Sequence, residues 1–320
     1  MSRKLLVHIP QLTGPQRDRI RREAEKQGLE PSFQDQRDRA LEASADAEVI
    51  FGQDAELVRQ AAHLQWICTP SAGADHFMTP GLFMRPEAVL TNSAGAYGVT
   101  IAEHTVMVTL EVLRRQQEYT RIVSEREWRR DLPIRSIRGS RILILGTGDI
   151  GREVALRMRA FSPERIAGIN RSGRNPGDMF DAVDTLPNLD RWIADSDLLI
   201  LSLPGTAETV HVLDRRRLAA LPQGALIVNV GRGSAIDQEA LREQLQAGRL
   251  FAALDVFETE PLPQQDPLWT CPNLLLTPHV AGNMTLPYTL ERIVDFFLEN
   301  LAAYGAGKPL KRQVDFAKGY

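Results

Sequence analysis

Cysteine is almost missing from this 320-residue chain. Cys68 and Cys271 stand roughly 200 residues apart, which makes neither a disulfide framework nor a metal-ligand spacing. No metal is expected, and a reducing, cytoplasmic setting is. Long apolar runs are also lacking. Nothing approaches the ~18 residues a bilayer requires. The N-terminal apolar run is broken by His8 and Pro10, so it reads as a first β-strand and not as a signal peptide. Charge of one sign is lacking as well: the formal net charge is -3 and the arginines are scattered among acids. That pattern offers neither a nucleic-acid footprint nor a membrane-surface patch. Internal repeats and low-complexity segments are absent. What remains is the composition of a globular protein, 43% hydrophobic and 25% charged, at a length that suits two domains.

Short apolar runs alternate with helical patterns, which predicts an α/β fold of parallel sheets covered by helices. Strands are expected at Leu5–Ile9, Val49–Phe51, Gln65–Cys68 and Ala88–Leu90, with a charged helix from Pro15 to Gln27. Val99–Leu113 reads as a long apolar helix, and residues 124–140 as an irregular, arginine-rich arm. A second series opens at Arg141–Leu145. Its strands are expected at 165–169, 198–201, 225–230, 251–256 and 274–276, with helices at about 150–161, 214–221 and 237–247. Asp214 and Asp237 stand where N-caps belong. A last helix runs from Pro287 to Tyr304.

The run Ile142–Leu145 has the character of a buried strand, and Gly146-Thr147-Gly148-Asp149-Ile150-Gly151 follows it directly, with a helix after. In this pattern the first glycine permits a tight turn and the second lets the backbone approach a pyrophosphate. The third lets helix and strand pack closely, with the anion at the helix N-terminus. A dinucleotide site is therefore expected here. An NAD-selecting site places a carboxylate some 20 residues on. Here the next strand ends at Asn170-Arg171-Ser172-Gly173-Arg174, and no carboxylate appears until Asp178. Arginine and serine there would pair with a 2′-phosphate, so NADP(H) is favoured, with NAD(H) possible. The alternative for this stretch is a solvated basic turn.

Three later strands each run into polar residues at their carboxyl ends, where open α/β sheets bind ligands. Ala225–Val230 leads to Gly231-Arg232-Gly233, the run from Phe251 to Pro261 supplies Asp255 and Glu260 close to another strand end, and Leu274–Leu276 leads to His279. An arginine fork suits a carboxylate and a carbonyl oxygen. A histidine with a carboxylate partner can deliver a proton while hydride arrives.

At Gly146–Gly151, Asn229-Val-Gly-Arg-Gly233, Asp255-Val-Phe-Glu-Thr-Glu-Pro261 and Thr277-Pro-His279 the chain resembles the D-isomer-specific 2-hydroxyacid dehydrogenase family. Those motifs also come in the family's order. The resemblance implies two Rossmann-like or flavodoxin-like domains with parallel sheets and an interdomain cleft. Residues 1–97 plus 286–320 would form the substrate domain, and 98–285 the dinucleotide-binding domain. It further implies that Arg232 binds substrate, that His279 is the general acid/base and that Glu260 is its partner. Ser71, Ala72, Gly73 and Ala74 would take the substrate carboxylate on their backbone N–H groups. Leu203, Pro204, Val230, Gly231 and Asp255 would line the cofactor, and the chain would be a homodimer acting on a small 2-keto or 2-hydroxy acid. The substrate pocket would draw on the 71–78 loop, Tyr97 and the 283–288 turn.

Other roles are open for some of these residues. Asp255 could instead hold its loop, Glu258 reads as a solvated loop acid, and His104 reads as a hydrogen-bonded packing residue. His8, His63, His76 and His211 receive no role. Val280-Ala-Gly-Asn-Met284 departs from the family's usual pair of small residues after the histidine, and a regulatory C-terminal domain is not expected. Glu260, where relatives acting on formate carry glutamine, favours keto-acid reduction. Corepressors related to the family keep the same residues, so a non-catalytic NAD(H)-responsive interaction protein is the alternative. Turnover of a keto acid would exclude it.

Overall fold

The computed structural model describes residues 3–284 and 286–316. The chain divides into two compact units, Met1–Tyr97 with Asn283–Tyr320, and Gly98–Gly282. The return crossing expected at 285/286 falls on Thr285, which lies outside the described residues together with residues 1, 2 and 317–320.

The first unit runs β1 (Arg3–His8), α1 (Gly14–Lys26), β2 (Leu29–Phe33), α2 (Arg37–Ser44), β3 (Val49–Gly52), α3 (Ala55–Gln60), β4 (Trp66–Cys68) and β5 (Val89–Thr91). The strands are parallel and lie in the order β2-β1-β3-β4-β5, the flavodoxin-like arrangement. Both faces of such a sheet are covered, which is why Val49–Gly52 and Trp66–Cys68 are buried at every position. The C-terminal helix Pro287–Gly305 closes this core. Its Phe297 stacks on Phe51 at 4.0 Å and on Trp66 at 5.3 Å between ring centroids. Three elements of this unit have no clear pattern in the sequence, strand β2 and the short helices α2 and α3. Strand β2 carries Pro31 and buries only Leu29 well, because it is an edge strand where a missing N–H is tolerated. Helix α2 is short and mostly polar.

The second unit begins with α4 (Gly98–Leu113) and α5 (Gln116–Ser124), then β6 (Arg141–Leu145), α6 (Asp149–Arg159), β7 (Arg165–Ile169), β8 (Ala182–Asp184), α7 (Asp190–Ile193) and β9 (Leu198–Leu201). It continues through α8 (Arg215–Ala220), β10 (Leu226–Asn229), α9 (Gln238–Gln246), β11 (Phe251–Leu254) and β12 (Leu274–Leu276). Its seven parallel strands lie in the order β12-β11-β10-β9-β6-β7-β8, a Rossmann-like sheet that reverses direction between β6 and β9. Asp214 and Asp237 cap α8 and α9, accepting from Arg217 N and Ala240 N. Helix α4 belongs to this unit and packs along α6. The arm is irregular as expected, apart from the end of α5. It is pinned by buried Ile137 and by Arg135, whose guanidinium sits 4.7 Å from the Phe251 ring centroid.

Candidate active site

The glycine turn occupies the switch point of the second sheet, between the carboxyl ends of β6 and β9. Gly146 has φ +97°, and a Cβ there would stand 2.9 Å from the Ser202 carbonyl oxygen. A Cβ on Gly151 would lie 1.9 Å from the Gly146 carbonyl oxygen, so only glycine lets α6 press this closely against the turn. Gly148 is different. It caps α6 with nothing within 4 Å of its Cβ position. That open space, at the N-terminus of a helix, fits a pyrophosphate. Thr147 and Ile150 complete the turn. Leu203 packs behind it, its backbone N and O 2.9 and 2.8 Å from the Cβ position of Gly231, which again leaves room for glycine alone. Val230 is buried beside it, and the Pro204 carbonyl accepts from Thr209 Oγ1.

At the end of β7, Asn170 organises its own turn. Its Oδ1 accepts from Ser172 N and Gly173 N at 3.0 and 2.7 Å, and its Nδ2 donates to Thr147 Oγ1 at 2.7 Å. Arg171, Ser172 and Arg174 are exposed on this turn. The nearest following acid in sequence, Asp178, is also exposed.

The strand ends β10, β11 and β12 bring the polar residues together. Asn229 is buried at the end of β10. Its Nδ2 donates to the Arg232 carbonyl at 2.9 Å and its Oδ1 accepts from Gly231 N, which shapes the loop carrying Arg232. Gly233 then meets the Phe257 backbone so closely that a Cβ would lie 1.8 Å from the Phe257 carbonyl carbon. The arginine loop is thereby seated against the loop that carries Glu260.

His279 Nδ1 lies 2.6 Å from Glu260 Oε2, while Glu260 Oε1 accepts from Phe257 N at 2.9 Å. The histidine side chain is 55% exposed and its backbone is left-handed, with φ 54°. A non-glycine residue holds that conformation only when its surroundings insist. Here the insistence comes from Asp255. Its buried carboxylate accepts from Thr277 Oγ1 at 2.6 Å, Val280 N at 2.9 Å and Ala281 N at 3.0 Å, clamping both sides of His279. The loop-holding role left open for Asp255 is thus present in its contacts.

His104 and Thr277 extend this clamp. Thr277 gives its single hydroxyl hydrogen to Asp255, so the His104 Nε2 at 3.2 Å is the donor to that hydroxyl. Burial pushes His104 below the usual histidine range, against the pull of Asp255. The apolar helix points to a hydrogen-bonded packing histidine, and the Thr277 contact supplies the hydrogen bond. Glu258, two residues from Glu260, pairs with His211 at 2.8 Å. No local signal distinguishes His211 in the sequence.

In the first unit, the loop after β4 holds Ser71–Ala74. Their carbonyls are engaged inward, by Ser93 N for Ser71, Asn92 Nδ2 for Ala72, Ser71 Oγ for Gly73 and Phe77 N for Ala74. Tyr97 donates to the Pro70 carbonyl at 2.7 Å, and burial pushes its phenol above the usual range, so it stays a donor. Among the described residues there is no cluster that could hold a metal ion and no helix long and apolar enough to cross a membrane.

A dinucleotide turn at a switch point, with a histidine–carboxylate pair and an arginine at neighbouring strand ends, defines a nicotinamide-dependent dehydrogenase. The chain belongs to the D-isomer specific 2-hydroxyacid dehydrogenase family, whose NAD binding domain matches residues 106–281. Glyoxylate/hydroxypyruvate reductase B of Pectobacterium atrosepticum is 34% identical over 75% of this chain and 77% of its own. Among solved structures, a D-isomer specific 2-hydroxyacid dehydrogenase family protein from Aeromonas salmonicida is 32% identical, with a TM-score of 0.87 over 99% of this chain and 100% of that one. A D-isomer specific 2-hydroxyacid dehydrogenase from Xanthobacter autotrophicus, solved with NADPH and MES, is 26% identical with a TM-score of 0.79, each chain covered completely.

Proposed function

We propose that this protein reduces a 2-keto acid to the D-2-hydroxy acid, with His279 as general acid/base, Glu260 as its partner and Arg232 as the substrate-binding cation. The observation that carries this reading is the 2.6 Å contact between His279 Nδ1 and Glu260 Oε2. A carboxylate only accepts, so Nδ1 bears the hydrogen and Nε2 is the nitrogen left to deliver a proton. The nicotinamide, when bound, supplies the hydride that goes to the keto carbon. His279 gives its Nε2 proton to the oxygen as negative charge develops there, and Glu260 holds the ring in orientation through Nδ1. Arg232 binds the carboxylate and the keto oxygen and stabilises that developing charge. The backbone N–H groups of Ser71–Ala74 take the substrate carboxylate, and Asp255 with the Asn229–Arg232 backbone lines the nicotinamide.

The cofactor preferred in this reading is NADP(H), because Arg171, Ser172 and Arg174 replace the acid that would repel a 2′-phosphate. The relative from Pectobacterium makes glyoxylate and hydroxypyruvate the first acids to test. Trp128 on the arm is 94% exposed and Val123 on α5 is 68% exposed, apolar surface that a homodimer would bury and light scattering would detect. The central assay follows NADPH and NADH oxidation with a panel of keto acids. His279→Ala should lower kcat by about a hundredfold to ten-thousandfold while leaving NADPH binding intact. Near-normal turnover by that variant sinks the proton-transfer role, and a clear preference for NADH sinks the cofactor assignment.

A further inference from the structure

Strand β12 ends at Leu276, and the chain then carries His279 through its left-handed turn at φ 54°. Asp255, at the end of the neighbouring β11, holds that turn at four points. Its carbonyl accepts from His279 N at 2.9 Å, and its carboxylate accepts from Thr277 Oγ1, Val280 N and Ala281 N at 2.6, 2.9 and 3.0 Å. Oδ1 serves two of these donors, one on each side of His279. Thr277 differs from the backbone donors, because a hydroxyl rotates and a peptide N–H does not.

What stops that rotation is on α4. His104 Nε2 lies 3.2 Å from Thr277 Oγ1, and only 11% of the histidine side chain is exposed. Burial holds this ring below the usual histidine range, against the pull of Asp255 and Glu111, so it stays neutral with its hydrogen on Nε2. The donation occupies a lone pair of the hydroxyl and leaves the hydroxyl proton aimed at Asp255. A histidine that merely filled space would need no such partner.

We propose that His104 and Thr277 are positioning residues for the acid/base step: through Asp255 they fix the backbone of His279 and hence the direction of its ring. The inference rests on the keto-acid reading above and adds two side chains that touch neither substrate nor cofactor in it. Glu260 anchors the ring at Nδ1, but one contact leaves a ring free to pivot, and 55% of this side chain is exposed. The backbone is its second anchor. Proton transfer needs heavy atoms within about 2.6–3.2 Å, and a misplacement of about 1 Å costs roughly a hundredfold in rate. Slackening the turn should therefore reach kcat and spare the glycine turn that holds the cofactor.

The test measures kcat with glyoxylate, NADPH affinity and amide hydrogen exchange in full-length His104→Leu, His104→Gln, Thr277→Val and Thr277→Ser. Valine keeps the shape of threonine, so Thr277→Val removes the hydroxyl alone and decides the matter if His104→Leu folds poorly. Both apolar variants should lose about tenfold in kcat, with NADPH affinity near the parent's. Glutamine keeps a donor and serine keeps the hydroxyl, so those variants should recover most of the loss. The double variant His104→Leu/Thr277→Val should fall no further than Thr277→Val, since both changes cut one chain. Exchange in peptides covering residues 276–284, read by mass spectrometry, should quicken about tenfold in the apolar variants alone. Parental kcat or parental exchange in Thr277→Val, a matching loss of NADPH affinity, or additive losses in the double variant overturns the inference. Absence of turnover by the parent with every keto acid overturns the keto-acid reading instead, and exchange still decides whether the two side chains hold the turn.

Discussion

The three glycines of the dinucleotide turn should fail in different ways when each is changed to alanine. At Gly151 the new Cβ would sit 1.9 Å from the Gly146 carbonyl oxygen, a backbone atom that cannot swing aside. Helix α6 must then lift off β6, and overpacking of this kind costs ~1–3 kcal/mol or more. At Gly146 the penalty combines a 2.9 Å approach to Ser202 with φ +97°, where a side chain costs ~1–2 kcal/mol. At Gly148 the Cβ meets nothing within 4 Å, and φ is -74°. Alanine is only a poorer N-cap there, by ~1 kcal/mol at most. For a domain of this size 1 kcal/mol moves the melting temperature by about 2–4 °C. Gly148→Ala should therefore melt within a few degrees of the parent, yet its methyl group occupies the space left for the pyrophosphate. A tenfold or greater loss of NADPH affinity, about 1.4 kcal/mol, is expected from fluorescence titration. Gly151→Ala should lose several degrees before any cofactor is added. Parental NADPH affinity in Gly148→Ala, or a parental melting curve for Gly151→Ala, would refute the assignment of these roles.

The two neighbouring glutamates offer a sharper contrast. Glu260→Gln should lower kcat about a hundredfold or more, while Glu258→Gln, whose carboxylate meets His211 and the α9 start, should stay within a few tenths of a kcal/mol in stability and near the parent in rate. Stability at acid pH should depend on Asp197. Hydrogen bonds from Arg141 hold its carboxyl below the usual range, against its partial burial. The folded value lies below the unfolded one, so the ionised group contributes stability above pH ~4 that disappears as pH falls through the folded value. Asp197→Asn should lower the melting temperature modestly near neutrality and flatten its acid limb; a parallel curve would count against the ion pair. In the first unit, Phe297→Ala removes a buried ring stacked on Phe51 and Trp66 and should cost ~3–5 kcal/mol in a denaturant titration.

Local chemistry was enough to read the buried strands, the glycine turn, the aspartate caps of α8 and α9, and the sequence of strand ends that carries Arg232, Glu260 and His279. Each of these is written in neighbours along the chain: apolar runs for strands buried on both faces, glycine where a Cβ would strike backbone, a short acid before a helix. Edge strands β2 and β8 escaped because they need bury little, and an edge tolerates proline.

Pairings across long separations could not be read in that way. Glu258 and Glu260 differ by two positions, and which histidine each meets depends on how the loop after β11 turns past β10 and β12. Asp255 looked like a cofactor contact by resemblance, and its reach to Thr277, Val280 and Ala281 exists only because β11 and β12 lie side by side. A cavity in the first unit gathers His8, Gln53, Pro70 and His76 from four stretches of chain, none with a pattern of its own. Strand order set those meetings, and strand order comes from packing the whole sheet, to which each residue contributes only a small part.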